Sequence, residues 1–167
     1  LVTAVRGPER DRWQKTWARA KAARDQGQIN RALSLFVQAT AAIPPATEPY
    51  LDAAAYALEL NRSLARLEPI YQRHRESFGL AVAAYPVHVA GAKLGDEGWR
   101  FATDCLIKAG AVEPRRADLQ ERVAAVVEEQ GRLREALVWR GRAEAIEPGR
   151  RENGLAIGRL LERTGAL

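Results

Sequence analysis

The chain has 167 residues and a formal net charge of +5; 47% of its residues are hydrophobic, 28% charged and 7% aromatic. That apolar content at that length suits one domain with a sizeable core and excludes a disordered chain. One cysteine, Cys105, excludes an intrachain disulfide, and no stretch approaches the roughly 20 consecutive apolar residues that a membrane-spanning helix needs.

Residues 1–12 form a lead-in without an initiator Met or a signal-peptide pattern, as expected of an excised or processed segment. The positive charge gathers here and just beyond. Residues 1–46 hold eight Lys/Arg and three Asp/Glu, and the rest holds eighteen of each. From residue 13 onward five turn-tolerant residues punctuate the chain: Gly27, Asn61, Gly95, Gly131 and Gly165, spaced 34, 34, 36 and 34 apart. Gly and Asn accept the left-handed backbone that ends a helix, so each is expected to close one helix and open a turn. Pro69 is expected to kink or split the helix after Asn61, and Pro86 falls near the start of its helix, where a missing N–H costs little.

The residues after each marker repeat too. Gly27 is followed by Ala32, Phe36, Ala39 and Pro44, and Gly131 by Ala136, Arg140, Ala143 and Pro148 at identical offsets. After Gly95 the series Ala102, Leu106, Ala109 and Pro114 keeps the internal spacing but is displaced by two residues, an insertion within Asp96-Glu97-Gly98. Apolar periodicity agrees with helices at both flanks of Gly131. Leu119, Val123, Val126 and Val127 share a stripe over 118–130, with Asp118 as the expected N-cap, and Leu133, Ala136, Leu137, Ala143 and Ile146 share one over 132–146. The last helix, 151–164, carries Leu155, Ile157, Leu160 and Leu161, and Gly165 is expected to open a further unit.

This pattern resembles the tetratricopeptide repeat family, most closely in Gln26-Gly27-Gln28-Ile29-Asn30-Arg31-Ala32-Leu33 and Gln130-Gly131-Arg132-Leu133-Arg134-Glu135-Ala136-Leu137. The resemblance covers about 13–165. It implies an all-α fold, an alpha-alpha superhelical solenoid of antiparallel helical hairpins: repeats at 13–46, 47–80 (degenerate, with Arg66 and Arg73 where small residues belong), 81–116 (with the insertion) and 117–150. Residues 151–167 would be a terminal helix or the start of a fifth repeat. Each hairpin has two apolar faces and must stack to bury both.

Catalytic equipment is missing from the pattern. His74 and His88 have no metal-ligating partner at helical spacing, and Cys105 reads as a small buried apolar residue. Gly91-Ala92-Lys93-Leu94-Gly95 lacks the ending of a phosphate loop, and Glu128-Glu129 diverge as neighbours on a helix do. No enzyme activity, cofactor or metal is expected.

The resemblance implies a concave groove lined by first helices: Gln14, Trp17, Lys21 and Arg24; Leu51, Asp52, Ala55 and Leu58; Val82, Tyr85, Val89 and Lys93; Glu121, Arg122, Ala125 and Glu128. Such a groove runs from basic-aromatic through apolar to acidic and suits a peptide with apolar anchors. A clamp for chaperone tails is disfavoured, because of Trp17, Lys21, Asp52, Val82 and Pro86 only Lys21 fits it. The expected function is a non-catalytic protein-protein interaction scaffold, a segment of a larger bacterial protein with a protein or peptide partner. Analogy points to envelope assembly or exopolysaccharide export, and to the periplasm over the cytoplasm. The alternatives are nucleic-acid or anionic-surface binding through Arg10, Arg12, Lys15, Arg19, Lys21 and Arg24, and a regulatory domain of a larger enzyme.

Overall fold

Glycine ends three of the helices in the same way. The computed structural model describes residues 8–78 and 84–166; the side chains of 8–11, 64, 67–78 and 84–95 lie outside that description. The described residues form α1 (Pro8–Asp25), α2 (Ile29–Ala41), α3 (Glu48–Phe78), α4 (Ala84–Val112), α5 (Ala117–Glu129), α6 (Leu133–Ile146) and α7 (Arg151–Thr164). Gly27, Gly131 and Gly165 have φ of 70°, 76° and 71°. At each, the glycine N–H and the N–H after it turn back onto the last helical turn: Gly27 to Arg24 and Gln28 to Ala23, Gly131 to Glu128 and Arg132 to Val127, Gly165 to Glu162 and Ala166 to Leu161. This Schellman geometry satisfies carbonyls that a helix end leaves open, and its left-handed residue favours glycine.

The turns expected at Asn61 and Gly95 do not form. Both residues lie inside unbroken helices, α3 and α4, and α3 also runs through Pro69 without splitting. The physical reason is one of magnitude. An Asn or Gly in a helix interior costs only ~0.5–1 kcal/mol, too little by itself to end a helix. Asn61 is 5% exposed and packs on Gly98, the last residue of the insertion. Pro86 falls in the first turn of α4, where proline is tolerated. The cap of α5 also differs from expectation. Arg116 is its N-cap, with no side-chain cap bond, and Asp118 sits in the first turn.

The chain divides into two compact units, Leu1–Pro45 with Asp52–Ala102, and Ala46–Leu51 with Thr103–Leu167. In the first, α1 packs on α2. Phe36 is fully buried, with its ring 5.5 Å from that of Tyr56, and Ala20, Ala53 and Ala57 are buried in the same unit. In the second, α6 packs on both α5 and α7 around Leu119, Val123, Val127 and Leu160. One device recurs along the chain. Ala32 and Ala39, Ala102 and Ala109, and Ala136 and Ala143 are all 0% exposed. Two alanines seven residues apart put flat ground on one side of a helix two turns long, and a neighbouring helix can settle against it. Among the described residues no helix is long and apolar enough to cross a membrane.

Two sets of substitutions separate packing from propensity. Ala136→Leu or Ala143→Leu should lower the urea unfolding free energy by ~1–3 kcal/mol through overpacking. Gly98→Ala should do the same, because its Cβ would stand 2.6 Å from Asn61 Oδ1. Gly141→Ala on α6, whose Cβ meets nothing within 4 Å, should instead raise stability by ~0.5–1 kcal/mol.

Candidate interaction surface

The basic-aromatic residues of α1 meet α3 in one cluster. Trp13 is 9% exposed, and its ring stacks on that of Trp17 with centroids 6.0 Å apart. Lys21, one turn further along, holds its ammonium 3.8 Å from the centroid of the Trp17 ring. The indole Nε1 of Trp17 donates to Asp52 Oδ2 at 2.8 Å. Trp17 is thus held by a ring, a cation and a carboxylate, and it remains half-exposed. A cation over an indole contributes ~0.5–1 kcal/mol at such a site and fixes the ring's orientation. Arg24, expected beside them, turns to Asp25 at 3.1 Å.

The acidic end is also changed by its partners. Glu121 accepts from Arg150 through both oxygens, at 2.6 and 3.3 Å, and Glu128 accepts from Arg163 at 2.8 Å. Both arginines flank α7, so the carboxylates of α5 are neutralised within the unit, while Arg122 stays exposed. Of the other expected groove residues, Leu51 is half-buried, and Leu58, 9% exposed, belongs to the core. Tyr85, Val89 and Lys93 lie on α4, with side chains outside the described residues, and Val82 lies outside them altogether.

Two arrangements were not foreseen. In the loop between α4 and α5, Arg116 bridges Glu113 at 2.8 Å and Asp118 at 2.9 and 3.2 Å. The hydrogen bond from Arg116 is the largest effect holding the Asp118 carboxyl below its ordinary range, against an opposing push from burial. Glu113 is lowered first by the same guanidinium and then by Thr47. The only hint in the sequence was the close spacing of opposite charges. The second arrangement is an open recess of about 420 Å³ between α4, α5 and α6, walled by Ile107 and Trp139. Cys105 is 1% exposed, and among the described residues no group of three or more His, Cys, Asp or Glu is placed to hold a metal ion.

No family model and no curated relative matches the sequence. Solved structures do. The tetratricopeptide repeat domain of Arabidopsis OM64 is 18% identical, with a TM-score of 0.52 over 92% of this chain and 98% of that one. The fold is tetratricopeptide-like. A MamA structure is 21% identical over 87% of this chain and 84% of that one, and MamA of Desulfovibrio magneticus is 12% identical over 95% and 87%, with TM-scores of 0.40 and 0.39. The fold assignment rests on the first of the three.

The loop pair has a pH signature. A carboxyl lowered in the folded state contributes stability above its unfolded pKa and loses it as pH falls. Stability should therefore decline as pH drops from about 5 to about 2, and Arg116→Gln should flatten that slope in urea titrations across the range. The α5 pairs should show in salt. A double-mutant cycle on Glu121 and Arg150 should give a favourable coupling that shrinks between low salt and about 1 M.

Proposed function

We propose that the chain is a non-catalytic protein-interaction scaffold that takes a peptide or protein segment along the first-helix face of α1 and α3. One observation carries this reading: Trp17 is held in place by Lys21 and Asp52 yet left half-exposed. A large ring whose orientation is fixed before binding loses little entropy when a partner covers it, which is the character of an interface hot spot. Lys21 and Asp52 beside it supply one cation and one carboxylate for main-chain or side-chain polar groups. Ala55, exposed one turn after Asp52, continues α3 with a small apolar surface, and Tyr85, Val89 and Lys93 extend the same reading onto α4. The paired state of Glu121 and Glu128 moves the weight of the proposal from α5 to α1 and α3.

The nucleic-acid reading draws less support. Lys21 is seated on Trp17 and Arg24 beside Asp25, and among the described side chains of α1 this leaves Arg12, Lys15 and Arg19 as exposed cations. A continuous basic stripe is what a phosphate backbone requires.

Peptide-display selection on the wild-type chain, followed by affinity measurements on Trp17→Ala, tests the proposal. Selected ligands should lose at least about tenfold in affinity, some 1.4 kcal/mol, with Trp17→Ala, and should tolerate moderate salt. Ligands that bind the variant equally well would refute it. Binding confined to single-stranded nucleic acid and lost steeply with salt would favour the alternative.

A further inference from the structure

The recess between α4, α5 and α6 shares no residue with the α1 and α3 surface. Small residues, Gly110 and Ala111 on α4 and Ala145 on α6, line it together with Ile107, Ile146 and Trp139. At Gly110 even a methyl group is tight, since a Cβ there would stand 3.0 Å from Gln120 Nε2. The α4 backbone therefore forms the surface directly. The volume, about 420 Å³, falls within the range of sites that take small apolar groups. Of its lining residues, Ile107 is 38% exposed.

Charge selects the occupant. Arg142 is the one ionised side chain lining the recess. Its guanidinium lies 4.3 Å over the Trp139 ring. A guanidinium can pair with a carboxylate through two parallel bonds while it rests on an aromatic face. Arg116, Arg132, Arg150 and Arg163 in the same unit each have a carboxylate partner. Arg142 makes no ion pair among the described residues, and it is exposed. An apolar lining with one cation that makes no ion pair among the described residues is complementary to an apolar side chain with a carboxylate close by. The recess is open to solvent, which leaves room for a peptide segment to enter.

We propose that this recess is a second docking site, for a short peptide segment of a partner protein in which a Leu or Phe stands next to or near an Asp or Glu. The apolar side chain rests on Gly110, Ala111 and Ala145 against Trp139, and the acidic side chain pairs with Arg142. Desolvation of Arg142 by the ligand strengthens that pair beyond its value in water.

The test uses the whole chain and fluorescently labelled, N-acetylated and C-amidated nonapeptides on an Ala/Ser frame. Each carries a central Leu or Phe with Asp or Glu at flanking positions, or Asn or Gln in their place. Anisotropy titrations should show the acidic peptides binding at least about tenfold tighter than their amide counterparts. Arg142→Gln should erase that difference and leave weak apolar binding. Ala145→Phe, at an exposed position, should fill the recess and lower the affinity of every peptide about tenfold or more, with its urea midpoint confirming that it folds. Trp17→Ala should change none of these values, which separates this site from the α1 and α3 surface. Equal binding of acidic and amide peptides to wild type, affinity unchanged by Ala145→Phe, parallel losses with Trp17→Ala, or no binding in the series would each overturn the proposal.

Discussion

Close approach of helices through alanine is the constraint on which the rest of the structure depends. Three second-helix stretches, in α2, α4 and α6, bury a pair of alanines seven residues apart at zero exposure. Any longer side chain at those positions would push the neighbouring helix out, and the cost would be felt by every contact that helix makes. The arrangement has a second consequence. A helix that presents alanine on one side carries its larger residues elsewhere, and on α6 these include Trp139, Val138 and Arg142. The flat side makes the fold, and the remaining sides hold what can meet a partner.

Polar contacts then fix what the alanines permit. At the α6–α7 turn, Gly149 has φ of 81°, and its N–H donates to Glu144, which also accepts from Asn153. Asn153, fully buried, donates to the carbonyl of Arg140 as well. Arg150 and Arg163 bridge back to α5. So α7 is held on its unit by few large apolar groups and several directional bonds. The same logic shapes the α1 cluster, where one carboxylate and one ammonium set the angle of Trp17. Directional bonds of this kind contribute modestly to stability but choose one arrangement among several.

Much of the fold was legible because its signals were local. The turn chemistry of Gly27 and Gly131, and the alanine offsets after them, needed no knowledge of tertiary structure. The series Ala102, Leu106 and Ala109 keeps the repeat's spacing and is buried, even though the marker ahead of it, Gly95, makes no turn. The alanine pattern was the more robust signal because burial decides it, whereas an isolated Gly or Asn only permits a turn. Asn61 illustrates the difference: the residue that looked like a helix end is a packing contact with Gly98. The candidate surface was legible only as a set of positions. Trp17, Lys21 and Asp52 were named, but the bond from Trp17 to Asp52 spans 35 residues. The charges of Glu121 and Glu128 were visible, but their neutralisation by Arg150 and Arg163 depends on where α7 packs. Leu58, placed in the groove by register, is buried instead.

Amide hydrogen exchange tests most directly whether buried alanine packing outranks the local turn signals. Ala65 and Gly98 stand in the register after Asn61 and Gly95 that Arg31 and Asn30 occupy after Gly27. In unbroken helices their amides donate to carbonyls four residues back and should exchange far more slowly than the first-turn amides of α2, whose donors precede any helical acceptor. Exchange of Ala65 and Gly98 as fast as that of Arg31 and Asn30 would mean that turns form at Asn61 and Gly95 after all, and would contradict the account.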